Sequence, residues 1–221
     1  MQQWDYTLGI FGVKFYQGNY NSTLVAQGAF SAYKTRIIKK IGGWQPYVGE
    51  DIVLTWELLS RGYEVNFAKK AIAFTEVPTT LRGLLRQRKR WACGMIEAFK
   101  QVTIISSQKM NLKSKLLICM NIFFPFIDIA LLIFISLGLI FLVFHNYLFM
   151  SWLTLLVILL GMILCFVIEV KRRNVLKQID CILKRRSFLA FLVYILLYAF
   201  LLAPCCIIGY IKGLCGLKKE W

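Results

Sequence analysis

The chain has 221 residues, 58% of them hydrophobic, and a mean hydropathy of +0.62. Its 27 Lys and Arg against 11 Asp and Glu give a formal charge of +16. Soluble domains are rarely so apolar, so composition points to a membrane protein. The cations lie in blocks beside apolar runs, with no zinc-finger spacing or nucleic-acid motif, which argues against a nucleic-acid partner. Cys119, Cys165, Cys205 and Cys206 lie inside apolar runs and read as buried thiols. The single histidine, His145, falls in a short turn between two runs and leaves no basis for a His-based metal or nucleophile site.

In chain order, "MQQWDYTLGIFGVKF" suggests a partly buried helix carrying Trp4, Tyr6 and Phe15, and it lacks the apolar core of a signal peptide. "STLVAQGAFSAYK" is strand-like with a glycine break, and "TRIIKKIGG" is a short helix stopped by Gly42. "DIVLTWELLSRG" is a helix opened by Asp51 and stopped by Gly62, with an apolar face of Ile52, Leu54, Trp56, Leu58 and Leu59. "YEVNFA" and "AIAFTEV" alternate like strands, and Thr79 or Thr80 can cap a long helix through "LLRQRKRWACGMIEAFK". This is an α/β pattern, and about 100 residues of it amount to part of a domain.

The remainder is dominated by three apolar runs. The first, 116–144, would reach about 43 Å as one helix, too long for a bilayer core of about 30 Å. Pro125 offers a break, placing 116–124 at the interface, 127–144 across the membrane, and Asp128 near the cytoplasmic boundary. The second run, 147–168, has spanning length and an aromatic belt in Tyr147 and Trp152. The third, 188–211, is long enough to cross, and Pro204 permits a kink. Lys109, Lys113 and Lys115 before the first run, and "KRRNVLKQIDCILKRR" after the second, put residues 1–115 and 171–186 in the cytoplasm. A third crossing would send the tail outside, whereas its three lysines favour the inside; a re-entrant third segment would remove the conflict. The expected domains are 1–105 soluble, 106–126 basic linker and interfacial helix, transmembrane helices at 127–144, 147–168 and 188–211, and 212–221 basic tail.

Two stretches can carry chemistry. In "VGEDIVLTWELLSRGY" paired acids precede a helical apolar face; they suit a helix start structurally, and a carboxylate there also projects from a rigid element as a general base must. On a helix, Gln87, Arg90, Trp91 and Gly94 fall at i, i+3, i+4 and i+7 and share a face, while Arg88 points elsewhere and can join a cytoplasmic flank. That face offers an amide, a guanidinium to fork onto phosphate and an indole to stack on sugar, beside a small residue that leaves room. A juxtamembrane basic flank with an interfacial tryptophan explains the same residues.

Together these stretches resemble the processive family 2 glycosyltransferases, the cellulose, hyaluronan and poly-N-acetylglucosamine synthase group. "GED" (Gly49, Glu50, Asp51) stands where that family has its E-D or T-E-D motif, "QRKRW" (Gln87 to Trp91) satisfies Q-x-x-R-W, and "AQGAFSAYKTRIIKKIGGW" is similar to its acceptor-side segment. The resemblance covers about residues 20 to 105 and the apolar runs after them. It implies a partial GT-A-like α/β domain followed by an α-helical transmembrane region, in the plasma membrane, with residues 1–115 cytoplasmic. It implies that Asp51 is the general base deprotonating the acceptor hydroxyl. Glu50, Gln87, Arg90 and Trp91 are then substrate-binding, the last three at the donor diphosphate and the acceptor end of the glycan. Donor and acceptor would be a UDP-sugar, nearest to UDP-N-acetylglucosamine, and a growing β-linked polysaccharide.

The family also has a D-x-D motif that holds Mg²⁺ or Mn²⁺ against the diphosphate. The aspartates here are Asp5, Asp51, Asp128 and Asp180, so no D-x-D forms and no metal ligands are expected in this chain. The reading is a carboxy-terminal portion that works with an amino-terminal half, joined to it or supplied in trans. The alternative is a non-catalytic membrane protein, truncated or serving as assembly partner of a polysaccharide export complex.

Overall fold

The computed structural model describes residues 1–101, 106–143, 148–178 and 187–216. The expectations for His145 and Tyr147, for the side chain of Trp152, and for the last parts of the second basic block and the tail lie outside what is described. The described chain is mostly helical and divides into two compact units, one of Met1–Phe15 with Ile127–Pro204 and one of Tyr16–Phe126 with Cys205–Trp221.

The second unit carries both chemical stretches. Its centre is the acidic helix Glu50–Ser60, in which seven of eleven residues are buried. Val53, Trp56 and Leu59 join Leu24, Ala98, Met110 and Ile118 in one cluster, while Leu54 and Leu58 join Ile38 and Ile41 in another. The helix is therefore apolar on two faces, where the sequence pattern was read as one. Gly49 precedes it as N-cap, with Glu50 and Asp51 in its first turn. Asp51 is thus inside the helix and not the opening residue.

Thr35–Ile41 ends at Gly42, whose φ of +97° suits glycine, and the amides of Gly42 and Gly43 both reach the Ile38 carbonyl. The basic helix, Leu81–Phe99, starts where Thr80 accepts a hydrogen bond from the Gly83 amide at 3.1 Å.

The expected strands do not form a sheet among the described residues. Thr23 N–H donates to the Val65 carbonyl (3.0 Å) and Val65 N–H to the Asn21 carbonyl (3.2 Å), making one isolated parallel bridge between Ser22 and Val65. Alternation marks a surface that suits a ladder, but a strand exists only where neighbouring backbone pairs with it. Here "STLVAQGAFSAYK", "YEVNFA" and "AIAFTEV" run extended or irregular, and the α/β expectation reduces to that single bridge.

The linker ends in the helix Leu112–Asn121, capped by Asn111 Oδ1 accepting from Lys113 N–H at 3.1 Å. A turn at Ile122 separates it from Phe123–Val143, which has Pro125 in its first turn, where a missing amide costs nothing. The last turns of the helix Ala199–Cys215, from Cys205 onward, belong to this same unit and pack on the basic helix. Tyr210 is buried with Ala92 and Ile96, and Gly213 lies against Ile96 and the Cys93 carbonyl. Lys100 Nζ donates to the carbonyls of Gly213 (2.6 Å) and Leu214 (2.9 Å), caring for acceptors a helix end leaves open.

In the first unit, Gln2–Thr7 and a wider-wound stretch Leu8–Lys14 pack along the long helix Leu148–Lys177. A Cβ on Gly12 would lie 2.9 Å from Ile168 Cδ1, Lys171 Nζ sits 4.4 Å above the Phe15 ring, and Trp4 meets Phe191 at 4.8 Å. The helix Leu148–Lys177 does not stop at the apolar boundary but runs through the first half of the basic block. There buried Glu169 accepts from Arg172 at Oε1 (2.5 Å) and Oε2 (2.7 Å) and from Arg173 at 3.0 Å. A fork of this kind offsets the cost of burying the charges, so part of what read as a free cationic flank is internally paired.

Two stretches, Leu112–Phe134 and Phe188–Cys215, are long and apolar enough to cross a membrane by length and composition.

Candidate functional site

Asp51 is half-buried in the first turn of the acidic helix, and its carboxylate is held by backbone amides. Oδ1 accepts from Ile52 N–H at 2.9 Å, and Oδ2 from Gly28 N–H at 3.3 Å. One turn later Thr55 donates its hydroxyl to the Asp51 carbonyl (2.6 Å) and accepts from Ala26 N–H (2.9 Å). The "AQGAF" segment is therefore strapped to the acidic helix at two points, Ala26 and Gly28. Glu50 is exposed at the same end.

Tyr33 lies close by, its hydroxyl donating to the Ala26 carbonyl at 3.3 Å. Burial pushes that hydroxyl above its ordinary pKa; a hydrogen bond with Ser31 pulls it back, and the Asp51 and Glu50 carboxylates push it up again. Tyr33 is a neutral hydroxyl beside two acids.

The basic helix meets this end of the acidic helix through two glycines. A Cβ on Gly49 would lie 2.9 Å from the Gly94 backbone, and one on Gly94 would lie 2.8 Å from Gly49 Cα and N. The space beside Gly94, expected to be open for a ligand, is filled by the Gly49 backbone. Two hydrogen bonds flank the contact: Val48 N–H donates to Glu97 Oε2 at 2.6 Å, and Gln101 Nε2 to the Tyr47 hydroxyl at 2.9 Å.

Trp91, Arg90 and Gln87 stand three, four and seven residues before Gly94, on the stripe that leads away from this contact. Arg90 is exposed, Trp91 is 41% exposed, and Gln87 is half-buried with Oε1 lacking a hydrogen-bond partner among the described residues. Arg88 departs from expectation: its guanidinium carbon is 4.2 Å from the Trp91 ring centroid, so it stacks on the indole instead of pointing away from it. Three residues apart on a helix is near enough for that stack.

All five residues singled out in the sequence, Glu50, Asp51, Gln87, Arg90 and Trp91, thus lie in one unit, around one helix junction. Glu97, Thr55 and Tyr33 were not singled out. The only available signal was Glu97 standing three residues after Gly94, on the side facing the loop before "GED". Among the described residues no three His, Cys, Asp or Glu side chains converge.

Glutamate and aspartate thus open one helix, and an amide, a guanidinium and an indole line another helix that touches it at Gly49 and Gly94. The model of the family "Glycosyl transferase family group 2" matches residues 5–208, and the chain belongs to that family.

Over 68 residues it is 38% identical to the poly-beta-1,6-N-acetyl-D-glucosamine synthase of Staphylococcus aureus (strain COL), and 37% identical over 68 residues to the enzyme of the same name from Staphylococcus epidermidis. Each match covers 30% of this chain and 16% of the relative. No solved structure matches.

Proposed function

We propose that this chain supplies the acceptor-side part of a membrane-bound inverting glycosyltransferase that moves N-acetylglucosamine from its UDP conjugate to a growing β-linked polysaccharide. What supports the reading most is the junction of Gly49 with Gly94, which sets Asp51 at the end of the Gln87, Arg90, Trp91 stripe. An alcohol is a weak nucleophile, so a fixed carboxylate at Asp51 takes its proton as it attacks the anomeric carbon. The bond from that carbon to the diphosphate breaks, and charge grows on the leaving oxygens, where Arg90 offers a fork of donors. The indole of Trp91 presents an apolar face to the acceptor sugar, with Arg88 stacked on it. The α/β character of the GT-A-like domain, like its D-x-D acids and Mg²⁺ or Mn²⁺, belongs in this reading to a donor-binding half outside these 221 residues.

The test is transfer from UDP-N-acetylglucosamine by membranes containing this chain, alone and with a D-x-D-bearing donor half. Product is expected only with both, and robust synthesis by the chain alone would sink the dependence. In the active pair, Asp51→Asn should abolish transfer while UDP-sugar binding persists; retained turnover removes Asp51 as the base.

The reading also carries a topology. Cys205–Cys215 share one unit with residues 16–101 and pack on the basic helix, so a cytoplasmic basic helix implies a cytoplasmic end for the third apolar run. Cys215 is exposed. In a variant keeping it as the sole cysteine, a membrane-impermeant maleimide should label it only after the cells are opened. Labelling of intact cells would put the tail outside.

A further inference from the structure

At the far end of the acidic helix from Asp51, about 13 Å along its axis, a polar cavity of about 330 Å³ opens beside the amino end of Leu112–Asn121. Its walls include Asn19, Tyr20, Glu64, Lys109, Asn111 and Lys113. Ser114 Oγ donates to Ser22 Oγ at 2.8 Å and closes the floor.

The charges there are unequal. The one carboxylate, Glu64, accepts from Asn21 Nδ2 at 3.0 Å, and Lys113 Nζ stands 4.8 Å over the Tyr20 ring. Lys109 and Lys113 are both exposed, so two ammonium groups face a cavity holding one already hydrogen-bonded acid. The helix end adds little, because Asn111 already takes the Lys113 amide.

The helix that starts here has an inverted surface. Ser114 and Ile118 are buried, while Leu112, Leu116 and Met120, at i, i+4 and i+8, are 68%, 56% and 65% exposed. Facing water, such a stripe forfeits about 25 cal/mol for each Å² left uncovered. It runs on into exposed Phe123, Phe124 and Phe126, within the stretch Leu112–Phe134 that is apolar enough to cross a bilayer. Lysines at the head of an apolar stripe are placed for the boundary between headgroups and acyl chains.

We propose that this cavity seats the phosphodiester headgroup of an anionic phospholipid, with Lys109 and Lys113 on the phosphate and an acyl chain along Leu112, Leu116 and Met120. An anionic lipid suits two ammonium groups, whereas the choline or ethanolamine of a zwitterionic lipid brings a cation they repel. The asparagine amides of Asn19 and Asn111 meet glycerol hydroxyls. The proposal rests on the membrane reading of residues 112–134 and not on the transfer chemistry.

The experiment uses the whole chain in lipid nanodiscs of phosphatidylcholine, with and without phosphatidylglycerol, and reads retained lipid by native mass spectrometry. The wild type should keep phosphatidylglycerol selectively. Lys109→Ala with Lys113→Ala should weaken that retention at least about tenfold. Lys39→Ala with Lys40→Ala, removing the same charge from two exposed positions of the helix Thr35–Ile41, should not change it. Equal losses in the two double variants, or no preference for phosphatidylglycerol, would overturn the proposal. So would displacement of the lipid by millimolar inorganic phosphate, which would make the site one for free phosphate. A carbonate wash separates the two failures: a chain that washes off the membrane defeats the membrane reading, and one that stays without lipid preference defeats only the headgroup site. Asp51→Asn should keep the lipid here while abolishing transfer in the active pair.

Discussion

The acidic and basic helices meet at Gly49 and Gly94, but they are held in place by different means. Glu50–Ser60 is fixed by its side chains, seven of eleven buried in two clusters. Leu81–Phe99 buries five of nineteen, and its position at the junction depends on a backbone contact and the hydrogen bonds beside it. Anchoring by core volume makes a helix costly to disturb but indifferent to small shifts. Anchoring by a glycine contact costs little to build and leaves the relative placement of the two helices sensitive to a single methyl group. Stability and site geometry should therefore separate under mutation.

The largest effect should come from the core side. Trp56 is 1% exposed and stacks near Phe99 at 5.2 Å. Trp56→Ala removes that volume and should cost about 3–5 kcal/mol in unfolding free energy, read by thermal or denaturant melting in detergent. A loss no larger than that of an exposed residue such as Phe74 would mean that the acidic helix is not anchored as described.

Next is the junction. Gly→Ala inside a helix ordinarily gains about 1 kcal/mol. At Gly94 the new methyl meets Gly49 backbone that has nowhere to go, with an overpacking cost of about 1–3 kcal/mol. Gly94→Ala should thus be neutral to destabilising in melting, and in the active pair it should lower transfer more than it lowers stability. A clear rise in melting temperature would show that the two backbones do not touch. Gly49→Ala lacks the propensity gain and should be worse.

How much of this was legible in the sequence follows the range of each interaction. Gly42, Gly62, Thr80 and the break near Pro125 were readable because caps and stops act within a few residues. The five candidate residues are carried by two short motifs, and the structure gathers those motifs in one unit. The strands could not be settled, since alternation describes a surface while pairing needs a neighbour. The Gly49 to Gly94 contact left no pattern, because a glycine chosen for what touches it looks like any other. The packing of Cys205–Cys215 on the basic helix was not legible, because burial against a helix and burial in lipid ask for the same residues. Glu169 stands just before the block that counted as basic flank, and its pairing with Arg172 and Arg173 left no sign in the charge count.

A smaller effect tests the hydrogen bonds beside the junction. Glu97→Ala leaves the Val48 amide without its acceptor and should cost about 1–3 kcal/mol, whereas Glu97→Gln keeps an oxygen in place and should recover most of that. Hydrogen exchange at the Val48 amide should quicken in the alanine variant and stay near wild type in the glutamine one. Equal quickening in both would mean that charge, not the acceptor, matters there.

The smallest effect concerns Arg88, and it decides whether that residue belongs to the gripping face or to the flank. A guanidinium stacked on a partly exposed indole contributes about 0.5–1 kcal/mol. A flank residue near a membrane contributes through charge alone, so lysine would replace it fully. Stacking is more demanding, since lysine lacks the planar group that covers the ring. Arg88→Lys should therefore expose Trp91 to acrylamide quenching almost as much as Arg88→Ala does, measured as the difference from a Trp91→Phe background. If Arg88→Lys instead quenches like wild type, the arginine is held for its charge, and the indole of Trp91 stands without its support.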